Sequence, residues 1–112
     1  MKSTLLFVFV FLCLLSHFVA AAGPDNAQQM YEKRCGNCHG PDGAGKTAAA
    51  KRMPMPDLRS TRIQSMSDDQ LFQTVAHGAN HKSYPHVFLK TGLSEPQVRQ
   101  LVDYMRVLAR RK

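Results

Sequence analysis

The chain holds little cysteine: three residues in 112, at Cys13, Cys35 and Cys38. A structural zinc site wants four sulfur or nitrogen ligands, usually with a second cysteine or histidine pair at short spacing. His77, His81 and His86 are present, but no cysteine follows Cys38 to pair with them. A thioredoxin-like pair needs a strand before it in a βαβ unit, and no strand pattern precedes Cys35. A disulfide between Cys35 and Cys38 stays open in an oxidising compartment. Acidic residues are also few, eight against fifteen Lys and Arg, for a formal net charge of +7. That balance suits an acidic partner surface or an anionic membrane face, although the charge is spread out and serves solubility as well. Nucleic acid is a poor fit, because the chain carries no motif for it. Repeats and convincing strand periodicity are lacking too. The fold class is all-α.

What is present is Cys35-Gly36-Asn37-Cys38-His39. C-x-x-C-H is the attachment signature of a c-type haem. Two thiols on one helical turn can reach the two vinyl groups at a porphyrin edge. The next residue, His39, is then carried under the iron, where an imidazole nitrogen serves as the proximal ligand. Two thioethers hold the cofactor permanently, so retention does not depend on a large pocket. One haem c per chain is the expected cofactor.

The first segment supports export. Lys2 precedes an unbroken apolar run over 5–15, and small residues stand at Ala20 and Ala22. This describes a secretory signal peptide cleaved after Ala22, leaving 23–112 as one domain. The apolar run is shorter than the ~20 residues of a spanning helix. Extended to Ala22 it becomes borderline, so a membrane role enters only if the signal stays uncleaved. Cys13 lies inside the apolar run and leaves with it. Loss of Lys2 lowers the net charge by one. A domain of this size has a thin core and needs a staple, metal or cofactor.

Helix signals fill most of what remains. Residues 25–34 form a first helix, with Asp25 as cap, Gln28 at the reciprocal position, and Ala27, Met30, Tyr31 and Arg34 at helical spacing. Tyr31 lies one turn before Cys35. Residues 40–47 read GPDGAGKT, a literal match to a phosphate-binding loop. That loop works only between a buried strand and a helix, so the stretch is read as a Gly/Pro turn. Residues 48–52 are a short stretch compatible with helix. Pro54 and Pro56 enforce an extended loop. Ser67 and Gln70 form a capping box for a helix through Leu71, Phe72, Val75 and Ala76 that stops near Gly78. A polar loop over 79–91 carries His81, Tyr84, Pro85, His86 and Phe88. Ser94 and Gln97 open the longest helix, with Val98, Leu101, Val102, Met105 and Leu108 on one face. Arg106, Arg110, Arg111 and Lys112 load its C-terminal end.

Taken together, the mature chain resembles the class I monohaem cytochromes c over essentially its whole length. The resemblance implies a small fold of three to five helices wrapped around one covalently bound haem. The family attaches haem through a motif matched by Cys35, Cys38 and His39, often continuing H-G-x-D-G-x-G as residues 39–45 do. It packs an aromatic before the first Cys on a Leu and an aromatic of the last helix, matched by Tyr31, Leu101 and Tyr104, with Ala27 allowing close approach. A Pro-x-Leu loop carries a carbonyl that accepts from the ligand imidazole, and Pro56-Asp57-Leu58 fits it, making Pro56 the partner that orients His39.

The departure is the sixth ligand. The family places a Met before a Pro ahead of the last helix, and Tyr84 stands there instead. His86 or His81 as a second imidazole, Tyr84 as a phenolate, an open pocket lined by these side chains, or a Met arriving by another path all remain. Met30 and Met105 read as core, Met53 and Met55 as neighbours of the Pro loop, and Met66 as packing. His77, late in its helix, reads as a surface residue.

The resemblance implies an exported carrier of single electrons, in a bacterial periplasm, and not an enzyme. Its partners would be redox proteins with acidic docking surfaces. Two alternatives stand beside it. One is a haem protein with an open distal site that binds gases or activates peroxide, using His81 or His86 as an acid/base group. The other is the cytochrome subunit of a larger oxidoreductase.

Overall fold

The computed structural model describes residues 24–79 and 86–111. The expected signal segment, its cleavage point, His81 and Tyr84 lie outside them. Five helices follow in order: α1 (Pro24–Arg34), α2 (Gly36–His39), α3 (Thr61–Gln64), α4 (Asp68–His77) and α5 (Glu95–Arg110). No strand occurs among the described residues, and their architecture is all-helical.

Helix α1 is described from Pro24 onward, and Asp25 is part of it and does not stand as its cap. Helices α4 and α5 start as expected. The Ser67 and Ser94 hydroxyls accept from the N–H groups of Gln70 and Gln97, and the Gln70 and Gln97 side chains return to the cap backbone. Helix α4 stops at Gly78, which takes a left-handed conformation (φ 75°) that a side chain would resist. Helix α3, absent from the sequence reading, is one short turn capped by Ser60, whose side chain accepts from Ile63 N–H. Residues 48–52 form hydrogen-bonded turns instead of helix, with Arg52 N–H donating to Ala49 O at 3.0 Å.

Helix α5 is the spine. It packs against α1 on one side and α4 on the other. Its stripe of Val98, Leu101, Val102, Tyr104, Met105 and Leu108 is buried, as helical periodicity requires of a core-facing helix. Tyr31 of α1 meets Tyr104 with ring centroids 5.2 Å apart, tilted by 49°. Offset, tilted aromatic pairs of this kind are favourable beyond their buried area. The Tyr31 hydroxyl donates to Gly40 O at 2.8 Å, so this ring ties α1, α5 and the segment after α2 together. Burial and the nearby Cys35 and Tyr104 push its phenol well above the usual range, so it stays a donor.

Tyr31→Ala and Tyr104→Ala should each cost roughly 3–5 kcal/mol, the range for truncating a buried aromatic. Their effects should be coupled, because residues in contact do not add. Chemical denaturation of both single variants and the double variant measures this, and additive losses would contradict the ring contact.

Arg106 does something other than complement the helix dipole. Its guanidinium reaches back to Asp68 at 2.8 Å and donates to the Gln64 and Met66 carbonyls at 3.0 and 2.6 Å. It thereby fastens the α3–α4 junction to α5. Arg110 remains in the last turn, where positive charge suits the dipole.

Candidate functional site

The C-x-x-C-H residues form a separate turn at the end of α1. Cys35 N–H still donates to Tyr31 O (2.7 Å), and His39 N–H then donates to Cys35 O (2.9 Å). This carries the chain through one more turn and leaves His39 buried, 5% exposed, on its inner side. The segment that follows folds back onto the turn. Gly45 N–H donates to His39 O at 2.8 Å, and the Thr47 hydroxyl donates to Cys38 O at 2.8 Å. Residues 40–47 are thus a strap over the His39 turn. Gly40, Gly43 and Gly45 all have positive φ, and no strand leads into the stretch to aim it at phosphate.

The strap holds the proline loop. Leu58 N–H donates to Gly43 O at 2.8 Å. Arg59 bridges Asp57 (3.0 Å) and Asp42 (3.5 Å). At Gly45 (φ +68°) a Cβ would stand 2.9 Å from Met55 O and 3.1 Å from Pro56 O. Only glycine lets the strap approach this loop so closely. The contact places Pro56 in the same wall as His39.

Between these elements lies an apolar cavity of about 600 Å³, mouth included. Cys35, His39 and Pro56 line one part of it. Ile63 and Met66, Leu71 and Val75 of α4, and Leu101 and Met105 of α5 contribute apolar surface. His86 and Phe88 close it from the loop before α5. The His86 and His39 rings come close together there, with centroids 5.8 Å apart and planes inclined by 28°. Cys38 is half-buried on the same turn as Cys35 but is not part of the lining.

Cys35 and Cys38 are free thiols and do not form a disulfide. Burial, helped by the neighbouring Cys38, pushes the Cys35 thiol up to about 12. A catalytic redox pair needs the opposite shift, toward a stable thiolate. The turn is therefore poorly made for thiol–disulfide exchange. No group of three or more His, Cys, Asp or Glu able to hold a bare metal ion occurs among the described residues.

The structure thus brings Cys35, His39, Pro56 and His86 to one cavity. His77 is exposed at the end of α4, with its ring edge-on to Phe72 at 6.2 Å. Met30 is buried core and Met105 is core that also faces the cavity. The apolar lining escaped the sequence reading as site residues: Met66 reads there as packing, Leu71, Val75 and Met105 as helix faces, and Ile63 of α3 is not singled out. The Ser60 cap was the one local signal for Ile63.

The group implied by the motif fits these residues. A flat apolar disc needs apolar walls, a thiol at its edge and an imidazole within reach, and Cys35 and His39 line the cavity among apolar side chains. An all-helical chain closed around such a cavity, with C-x-x-C-H in its wall, is a class I monohaem c-type cytochrome, a class whose domains carry covalently attached haem c. Residues 22–105 match the family described as cytochrome C oxidase, cbb3-type, subunit III, and the chain belongs to that family. No curated protein and no solved structure matches it. No helix among the described residues is long and apolar enough to cross a membrane.

Proposed function

We propose that this chain is an exported carrier of single electrons in which Cys35 and Cys38 hold the haem and His39 ligates its iron. The observation that carries the reading is the placement of buried His39 in the wall of an apolar cavity, on the same short turn as the Cys35 thiol. When bound, haem c supplies a ferric/ferrous couple that takes up and gives back one electron.

The chain's own residues do the rest. Cys35 and Cys38 would hold the haem through thioether bonds to its two vinyl groups. Pro56, in the wall beside His39, is the residue that orients the imidazole, held there by the close approach at Gly45. The buried apolar lining excludes water from the ring faces and resists reorganisation as charge changes. Lys33 and Arg34 stand exposed immediately before Cys35, and Lys46, Lys51 and Arg52 just after His39. They give the attachment side a positive rim suited to brief docking on acidic redox partners, through small interfaces. Residues 1–22 serve as the export signal, and a bacterial periplasm is the compartment.

The printed family description favours one second reading: the same domain working as a subunit of a larger oxidase. The test uses the chain expressed with its own leader in a host that assembles c-type cytochromes. One haem per chain and a single reversible one-electron step in a potentiometric titration are expected. A mature chain without bound haem, or with no reversible one-electron step, would overturn the proposal. Co-migration of the native chain with oxidase subunits, against a free monomer, separates the two readings.

A further inference from the structure

We propose that His86 supplies the second axial ligand to the iron that His39 binds from the other side, so that the site holds its iron between two imidazoles. This rests on the haem reading above. Three observations carry it.

The first is the pairing of the rings. His86 and His39 line the same cavity, and their centroids lie 5.8 Å apart. A metal bound by two ring nitrogens at about 2 Å each puts the imidazole centroids roughly 6 Å apart. The spacing leaves room for one metal atom between the two rings.

The second is how the His86 backbone is held. Two and three residues further on, Phe88 N–H donates to Val75 O (3.3 Å) and Leu89 N–H to Ala76 O (3.4 Å). Leu93 N–H donates back to Phe88 O at 3.0 Å. These bonds moor the loop to the end of α4, whose Val75 also lines the cavity. His86 is therefore delivered from an anchored segment.

The third is the orientation of the side chain. The Phe88 ring meets His86 edge-on, 5.5 Å between centroids and 69° between planes. That contact restricts the imidazole's rotation at its place beside His39. A ligand held this way loses little freedom on binding, which is what preorganisation contributes. Met66 and Met105 also line the cavity, and the spectra below distinguish a thioether from a second imidazole.

The test uses the holoprotein, with haem staining after denaturing electrophoresis run alongside. The ferric wild type should be low-spin with the magnetic-resonance and near-infrared signature of two imidazoles, and the ferrous form should bind carbon monoxide slowly. His86→Ala should keep its haem stain, lose the low-spin signature and bind carbon monoxide faster by more than an order of magnitude, since distal access governs such binding. An iron–methionine band in the wild type would overturn the proposal and point to Met66 or Met105. So would a spectrum unchanged in His86→Ala, whether or not Tyr84→Phe alters it. A wild type without haem stain overturns the haem reading itself, which separates that failure from a wrong ligand.

Discussion

Cys35→Ala/Cys38→Ala together should abolish covalent haem and leave the chain without a cooperative fold. The cavity explains why the second effect follows from the first. Leu58, Ile63, Leu71, Val75, Phe88, Leu101 and Met105 all present apolar surface to it. Residues from α3, α4, α5 and the loops around them thus meet around whatever fills the space. Helix α5 packs on α1 and α4 by itself, and a filled cavity adds apolar contacts to α3, the proline loop and the His86 segment. A domain this small buries a modest fraction of its surface, and net stability is only about 5–15 kcal/mol. A cavity left empty costs stability in proportion to the volume that does not collapse, which subtracts from that small margin. Haem staining after denaturing electrophoresis and a thermal melt followed by far-ultraviolet circular dichroism check the two effects. A stain retained by the double variant would sink the claim that these thiols carry the group.

The parts of this fold that can be read from the chain are those set by local chemistry. Ser67 with Gln70 and Ser94 with Gln97 close their hydrogen bonds within four residues, so the starts of α4 and α5 are visible in the sequence. The buried face of α5 follows from its 3.6-residue stripe. The pairing of Tyr31 with Tyr104 came from family resemblance, and the rings do meet. What escaped is set by distant neighbours. Helix α3 is a single turn with no stripe to reveal it. Arg106 looks like any basic residue near a helix end, and only the folded chain brings Asp68 and two carbonyls within its reach. The loop before α5 is the sharpest case. His81, Tyr84 and His86 lie within six positions of one another and carry equal local promise. What distinguishes His86 is mooring to Val75 and Ala76 and an edge contact with Phe88, none of which has a signature in sequence. His81 and Tyr84 fall outside the described residues, so the comparison rests on where His86 is placed.

His86→Met should raise the reduction potential by on the order of 100 mV, within the wide range over which axial ligands tune haem. The sign follows from the ligands. An imidazole donates strongly to iron and favours the ferric state. A thioether is a soft, neutral ligand that favours the ferrous state, and Met/His ligation accordingly raises the potential of a cytochrome c. At 59 mV per ten-fold change for one electron, the expected shift alters the ferric-to-ferrous ratio about fifty-fold at a fixed ambient potential. Methionine is also the substitution the site can absorb most easily, being unbranched and adaptable, and Met66 and Met105 already show that the lining accommodates thioethers. The mooring at Phe88 and Leu89 remains intact in this variant, so the new side chain enters from the same anchored segment. Potentiometric titration of wild type and variant reads the shift, and the iron–methionine band in the near-infrared reports whether the new ligand has bound. If that band appears without a rise in potential, imidazole donation is not what holds the wild-type potential down. A wild type already as high as its methionine variant would mean that iron in this chain is not shared by two histidines.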